Sequence, residues 1–554
     1  MSLLIDLFGY LSVVIHGLTI TAQSVAVGGL LFIALLLRPL LPQLGSDGQH
    51  IERSCIAIVA WSALALALSE AAAVGLQAAV LIGSVDLSLV DTLRAHFAIA
   101  GLVKVTAAAV IALTLFALGQ RASVTPLLAL SVIVLAAATL TTHAAARLDE
   151  RTPLLLVEFL HQFGAAIWIG GVPCFLVALG RVQAAQAWRL IGARFSRMSM
   201  TGVACIAISG LAMSLGYIGS WEALYGTAYG VMVSAKITMF LMLLALGGGN
   251  FLLVERLRRR PVTPVMRLKR YAEVEIGIGV AIFFAAGSLT SVPPAIDLTQ
   301  DRVTWPEIIE RNLPEWPKLT SPDHDSLALP ALQAKLDTEA ARQRRAPQAA
   351  FVPGSGELPP RNADDIAWSE YNHHWSGLFV LAIGVLSLLH AGELCWARHW
   401  PLLFVVLAAF LFVRADPEVW PLGDIGFFAS LRDTEVLQHR TFVLLIAAFG
   451  IFEWRVRVAR SVKPWAALVF PLFCAVGSTL LLTHSHAIAN IKDQLLIELT
   501  HTPLALLGIV AGWARWLELR LHLRINPIAW RVAHWLWPVC FILIGLLLLN
   551  YREA

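Results

Sequence analysis

Two phrases in this chain set ionisable side chains among hydrocarbon-like neighbours. HAAARLDERTPLLLVEFLHQFGAAIWIGG begins at His143 and contains Glu158 and His161; HAIANIKDQLLIELTHTPLALLGIVAG begins at His486 and contains Glu498 and His501. In each, the glutamate and the histidine lie three residues apart, which sets both on one face of a helix. Charged and imidazole groups are costly inside a membrane helix and are functional candidates there by default. Neutral imidazole ligates divalent copper, zinc, iron and nickel. A nearby carboxylate either ligates as well or orients a ligating ring. The chemistry expected of these phrases is metal handling.

The other histidines extend the pattern. His16 answers His374, His96 in DTLRAHF answers His439 in DTEVLQHRTF, His143 answers His486, and Glu158 with His161 answers Glu498 with His501. His484 stands beside His486 without a counterpart, as His373 does beside His374. The expected metal set is therefore His16, His96, His143, Glu158, His161, His374, His439, His484, His486, Glu498 and His501. Order and orientation are kept between the halves, so they read as a direct repeat, an architecture in which transporters place a site at or near the repeat interface.

The elements that must position these residues follow from composition. With 58% hydrophobic and 14% charged residues in 554, against about 25% charged in soluble domains, the chain reads as an all-α polytopic membrane protein. Fourteen apolar runs lie near 10–37, 55–82, 96–118, 125–146, 154–180, 198–218, 229–253, 272–292, 375–392, 400–413, 440–454, 465–484, 494–514 and 529–549; a spanning helix needs about 20 residues. They divide into two six-helix repeats, with the seventh and eighth spans extra. The expected domains are 1–294, an extracytoplasmic linker or small domain over 295–372 with a short helix near Leu329–Arg344, and 373–554. Arginine-rich loops, including Arg256–Arg260 and Arg455–Lys463, fall on one side when the N-terminus is outside. The positive-inside rule makes that side cytoplasmic and both termini periplasmic.

Other classes fall away. The six cysteines show no C-x-x-C spacing and a formal charge of +4 gives no nucleic-acid footprint. Neither H-E-x-x-H nor a P-loop or nucleophile motif is present, so no enzyme is expected. Trp168, Gly170 and Gly171 read as helix-packing residues. Lys236, Asn250 and Glu273, with Glu275, are unusual polar groups in apolar runs, and Lys236 suits a buried ion pair or a pathway role.

From Phe195 to Pro294 the chain reads FSRMSMTGVACIAISGLAMSL, LYGTAYGVMVSAKITMFLMLLALGGGN and RYAEVEIGIGVAIFFAAGSLTSVPP. With HAAA and HQFGAAIWIGG upstream, this resembles the copper resistance D family, the CopD and PcoD type of inner-membrane protein, over about the first 295 residues. The resemblance implies copper tolerance and copper movement across the inner membrane, inward, beside a periplasmic copper-binding protein. It also implies His16, His96, His143 and His161 as copper contacts, with Trp168, Gly170 and Gly171 as the packing signature. The C-terminal half is a departure from the short members. Two other readings fit the histidines: a b-type haem electron-transfer protein, with His143 and His161 or His486 and His501 as axial ligands, and a copper chaperone or assembly factor for a membrane oxidase.

Overall fold

The computed structural model describes residues 2–85, 87–147, 151–182, 185–259, 265–299, 302–322, 338, 341, 363–417, 419–423, 425–431, 434–459, 463–483 and 492–553. These residues are helical almost throughout; an isolated bridge between Val419 and Ile425 is the one piece of β pairing among them. Ten helical stretches among the described residues are long and apolar enough to cross a membrane, and Val124–Thr139 and Leu402–Arg414 are shorter apolar helices. The chain is a polytopic helical membrane protein. Outward faces fit that solvent: on the helix Ala185–Tyr217, Ile208, Leu211 and Leu215 are each about two-thirds exposed.

The chain forms two compact units. The first, Met1–Arg302, contains α1 (Ser2–Leu31), α2 (Leu41–Val85), α3 (His96–Leu118), α4 (Val124–Thr139), α5 (Arg151–Ala165), α6 (Val172–Arg181), α7 (Ala185–Tyr217), α8 (Ala228–Arg259) and α9 (Met266–Leu289). α1 is its axis, packed on α2, α9 and the π turn Ala166–Gly170 that joins α5 to α6. The chain kinks at Gly45, whose φ of +55° is open to glycine at no steric cost.

Glycine also sets how closely α1 approaches the π turn. A Cβ on Gly28 would lie 2.0 Å from the Ala166 carbonyl oxygen, and one on Gly170 would lie 1.9 Å from that of Ser24. Gly164 on α5 and Gly202 on α7 repeat the arrangement, each hypothetical Cβ 2.8 Å from the other residue's carbonyl oxygen. Without a hydrophobic driving force between helices in lipid, such backbone approach is a main source of packing energy. Trp168, Gly170 and Gly171 thus sit at the tightest crossing in the unit.

The second unit, Val303–Leu482 with Ala489–Ala554, contains α10 (Trp305–Asn312), α11 (Ala363–Ala391), α12 (Leu402–Arg414), α13 (Thr434–Val458), α14 (Val469–Thr483), α15 (Lys492–Arg520) and α16 (Pro527–Leu549). α11 and α15 pack on α16, and α12 packs on α13. Trp400, Phe449, Phe470, Trp537 and Phe541 form its buried aromatic core, with Trp400 and Trp537 centroids 5.4 and 5.6 Å from that of Phe470.

Part of the stretch expected as linker belongs to this unit's packing. The Glu315 amide donates to Asn550 Oδ1 at 3.2 Å, and Trp375 Nε1 donates to the Leu319 carbonyl at 3.1 Å. α11 starts ten residues before the expected boundary at 373, because Ile366, Glu370 and Tyr371 are buried despite their polar surroundings in sequence. The short helix expected near Leu329–Arg344 lies outside the described residues except for Thr338 and Ala341, both helical.

Gly170→Ala is expected to lower the thermal midpoint of the detergent-solubilised protein by several degrees, since overpacking costs about 1–3 kcal/mol or more. Gly75→Ala, with nothing within 4 Å of the new Cβ, should leave it unchanged or raise it. Equal midpoints for the two variants would remove the close crossing as a determinant of the fold.

Candidate metal site and its polar network

α5 carries Glu158 and His161 into the interior of the first unit. His161 Nδ1 lies 3.0 Å from Ser209 Oγ on α7, and that hydroxyl donates to the Cys205 carbonyl at 2.5 Å. The serine proton is therefore committed, so the imidazole donates from Nδ1 and keeps its lone pair on Nε2. A neutral ring in that tautomer is the metal-ligating form. Gln162, next in sequence, accepts from Gln23 Nε2 on α1 at 3.0 Å.

Glu158 lies within electrostatic reach of Lys236 on α8, and of Tyr217 and Tyr229. His161 also feels the Lys236 ammonium. Lys236 thus has a carboxylate within electrostatic reach in the same interior, the kind of partner that its position in an apolar run calls for. Toward the end of the unit His143 opens a one-turn helix, His143–Ala146. Its Nε2 lies 3.0 Å from the Leu289 carbonyl oxygen, which can only accept, so Nε2 is the protonated nitrogen and Nδ1 is left for a ligand. The Tyr217 and Tyr229 rings stand 6.4 and 6.2 Å from the imidazole, and Arg147 closes this end through both Asp297 carboxylate oxygens at 3.0 and 3.1 Å.

A second buried group joins α8, α9 and the π turn. Asn250 Nδ2 donates to Glu275 Oε1 at 2.6 Å, and the Trp168 indole lies near the Glu275 carboxyl. Glu273, two residues earlier, pairs with Arg270 one turn away on its own helix. The interior carboxylate of α9 is therefore Glu275 rather than Glu273. A third group was not singled out from sequence: Glu70 on α2 and Lys104 on α3 pair at 2.7 Å with side chains 6% and 3% exposed. His16 faces Lys104 electrostatically, and Thr19 donates to Ser69 Oγ at 3.0 Å. The signal was available, as each is a lone charge in an apolar run. His96 is exposed at the first position of α3.

In the second unit the histidines divide by what their nitrogens already do. His374 is buried with both occupied: Nδ1 accepts from the Lys318 amide at 2.9 Å and Nε2 donates to the Tyr551 carbonyl at 2.9 Å. That ring clasps residue 318 and the C-terminal segment to α11, beside the Lys318–Glu370 ion pair, and has no lone pair for a metal. His373 and His501 instead commit Nδ1 to the Ser369 and Ile497 carbonyls, at 2.8 and 3.0 Å. His373 keeps the lone pair on Nε2. The two ring centroids lie 5.9 Å apart, and the Tyr551 ring stacks on His373 at 3.9 Å. Glu498 is buried one turn before His501. His439 pairs through Nδ1 with Asp416 Oδ1 at 2.6 Å. His484 and His486 lie outside the described residues.

The expected metal set is not gathered into one cage: among the described residues no three His, Cys, Asp or Glu side chains are close enough to hold an ion together. What the geometry provides is a Glu–His pair with a lysine beside it in the first unit and a two-imidazole group in the second.

Residues 189–289 match the family described as Copper resistance protein D. Over this stretch the chain is similar to that family. It holds Ser209, Tyr217, Tyr229, Lys236, Asn250 and Glu275, the partners of Glu158, His161 and Trp168 upstream. The chain is also 34% identical over 164 residues to the copper transport protein CutJ of Bacillus subtilis (strain 168), an alignment covering 29% of this chain and 29% of that protein. No solved structure matches it.

Breaking the Glu70–Lys104 pair on one side leaves a bare charge among apolar helices, at a cost of about 3–5 kcal/mol, whereas replacing both with apolar residues is near neutral. Glu70→Ala should therefore lose much of the thermal midpoint, and Glu70→Leu with Lys104→Met should recover most of it. A double variant no better than the single one would show that the pair is not coupled.

Proposed function

We propose that this chain is a copper transport protein of the bacterial inner membrane that takes copper from periplasm to cytoplasm, with both termini periplasmic. One observation carries the reading: the stretch matching Copper resistance protein D supplies the interior partners of Glu158, His161 and Trp168. The relative named a copper transport protein adds support. No catalysis is part of the proposal.

Copper is cargo in this reading. It meets the His143 end of the first unit, delivered by a periplasmic copper-binding protein, and is received by His161 Nε2 and the Glu158 carboxylate. Imidazole nitrogen with carboxylate oxygen suits cupric copper. Lys236 holds the Glu158 charge before the ion arrives, is displaced as copper takes the carboxylate, and returns as it leaves. The carboxylate thus never stands bare in a medium where that is costly. Glu275, bonded to the neutral Asn250 amide, is the group suited to carry a compensating proton. His16 and His96 line the approach, and in the second unit His501 with His373 and Glu498 form a second imidazole group for the same cargo.

Copper binding to the purified full chain tests this. Glu158→Gln and His161→Ala should each weaken affinity at least about tenfold, the scale of losing a ligand or its orienting partner. Lys236→Met should tighten it, because the competing cation is gone. A wild-type chain that binds no copper, or a Lys236→Met affinity that is unchanged or weaker, contradicts the exchange.

A further inference from the structure

At the end of the second unit where α11, α13 and α15 finish and α16 begins, a cavity of about 100 Å³ is lined by His390, Arg457, Arg515, Glu518, His534 and Trp537. None of these belongs to the copper reading.

Both carboxylate oxygens of Glu518, the acidic residue of the lining, are taken. Glu518 receives Arg515 Nη1 on Oε2 at 2.6 Å and faces His534 Nδ1 with Oε1 at 2.7 Å. Glu453, which does not line the cavity, receives Arg457 Nε at 2.8 Å. Donors are left over: Arg457 Nη2, Arg515 Nε and Trp537 Nε1 are buried without a hydrogen-bond partner, as is His390 Nδ1. The Arg457 side chain is only 7% exposed. Its guanidinium lies 4.5 Å from the Trp400 centroid, and the Arg515 guanidinium lies 5.3 Å from that of Trp537, so packing fixes both. Buried donors without acceptors are rare in native structures and mark an ion or water site.

Counting donors and acceptors separates the two. Glu518 has both carboxylate oxygens engaged and the Ala391 carbonyl faces His534 Nε2 at 3.2 Å, while Arg457 Nη2, Arg515 Nε and Trp537 Nε1 are donors left without an acceptor. A water accepts from such donors but must also donate its own protons, whereas an anion only accepts.

We propose that this cavity binds one small monovalent inorganic anion of about chloride's size, held by Arg457, Arg515 and the Trp537 indole, with His390 beside it. The space admits such an ion with water alongside. Charge-assisted bonds from two guanidinium groups supply the affinity.

The test is thermal unfolding of the purified full chain in detergent, with chloride replacing gluconate at constant ionic strength. Wild type should show a saturable rise of at least about 3 °C, the size that ligand linkage gives at concentrations well above Kd. Arg457→Gln should abolish the rise. Should that variant not fold, Trp537→Phe, which keeps the ring packing and removes the donor, should shift the chloride midpoint several-fold upward. Bromide soaked into crystals should give an anomalous peak among these side chains. No chloride-dependent rise in wild type overturns the proposal, as does a rise equally large and equally tight in the variants, or a response to phosphate with none to chloride.

Discussion

A charge carried into an apolar helix bundle needs a counter-charge or a full set of hydrogen bonds, and this constraint organises both units. Glu70 has Lys104, Glu158 has Lys236 within electrostatic reach, Glu275 has the Asn250 amide, and Glu453 and Glu518 have arginines. The partners come from different helices in the first unit, so each polar group also fixes which helices are neighbours. Bare charges in such a medium would cost several kcal/mol apiece. Pairing is therefore a condition of folding before it is a feature of function.

Close backbone approach lets short polar side chains meet. α1 reaches the π turn because Gly28 and Gly170 present no Cβ, and that turn carries Trp168 to Glu275. Helical π turns recur at functional sites, and here the turn lies between Gln162, bonded to α1, and the Asn250–Glu275 group. Glu158 and Lys236 differ from the Glu70–Lys104 pair in having an imidazole, His161, one turn along the Glu158 helix face. That difference is why the proposed function is assigned to the former and a structural role to the latter.

The helical class, the membrane and the family resemblance were legible because they rest on hydropathy and on runs of residue types. Lys236 was legible as a polar residue too deep to reach solvent. The division of the histidines was not. His143, His373, His374 and His501 are each held by a backbone carbonyl, and a carbonyl acceptor leaves no trace in residue identity. Glu273 and Glu275 are two residues apart, about 200° around a helix, so only packing decides which enters the core. Residues 303–322 read as linker because they are polar, yet their backbone amides and carbonyls are what the second unit uses.

The most direct test of the central claim is copper uptake into proteoliposomes containing the purified full chain, with Glu158→Gln reconstituted at equal density. The account predicts copper accumulation in the wild-type vesicles well above that of protein-free vesicles, and loss of most of it in the variant. Wild-type vesicles that accumulate no more copper than protein-free ones, or a variant that transports as fast as wild type, would contradict it.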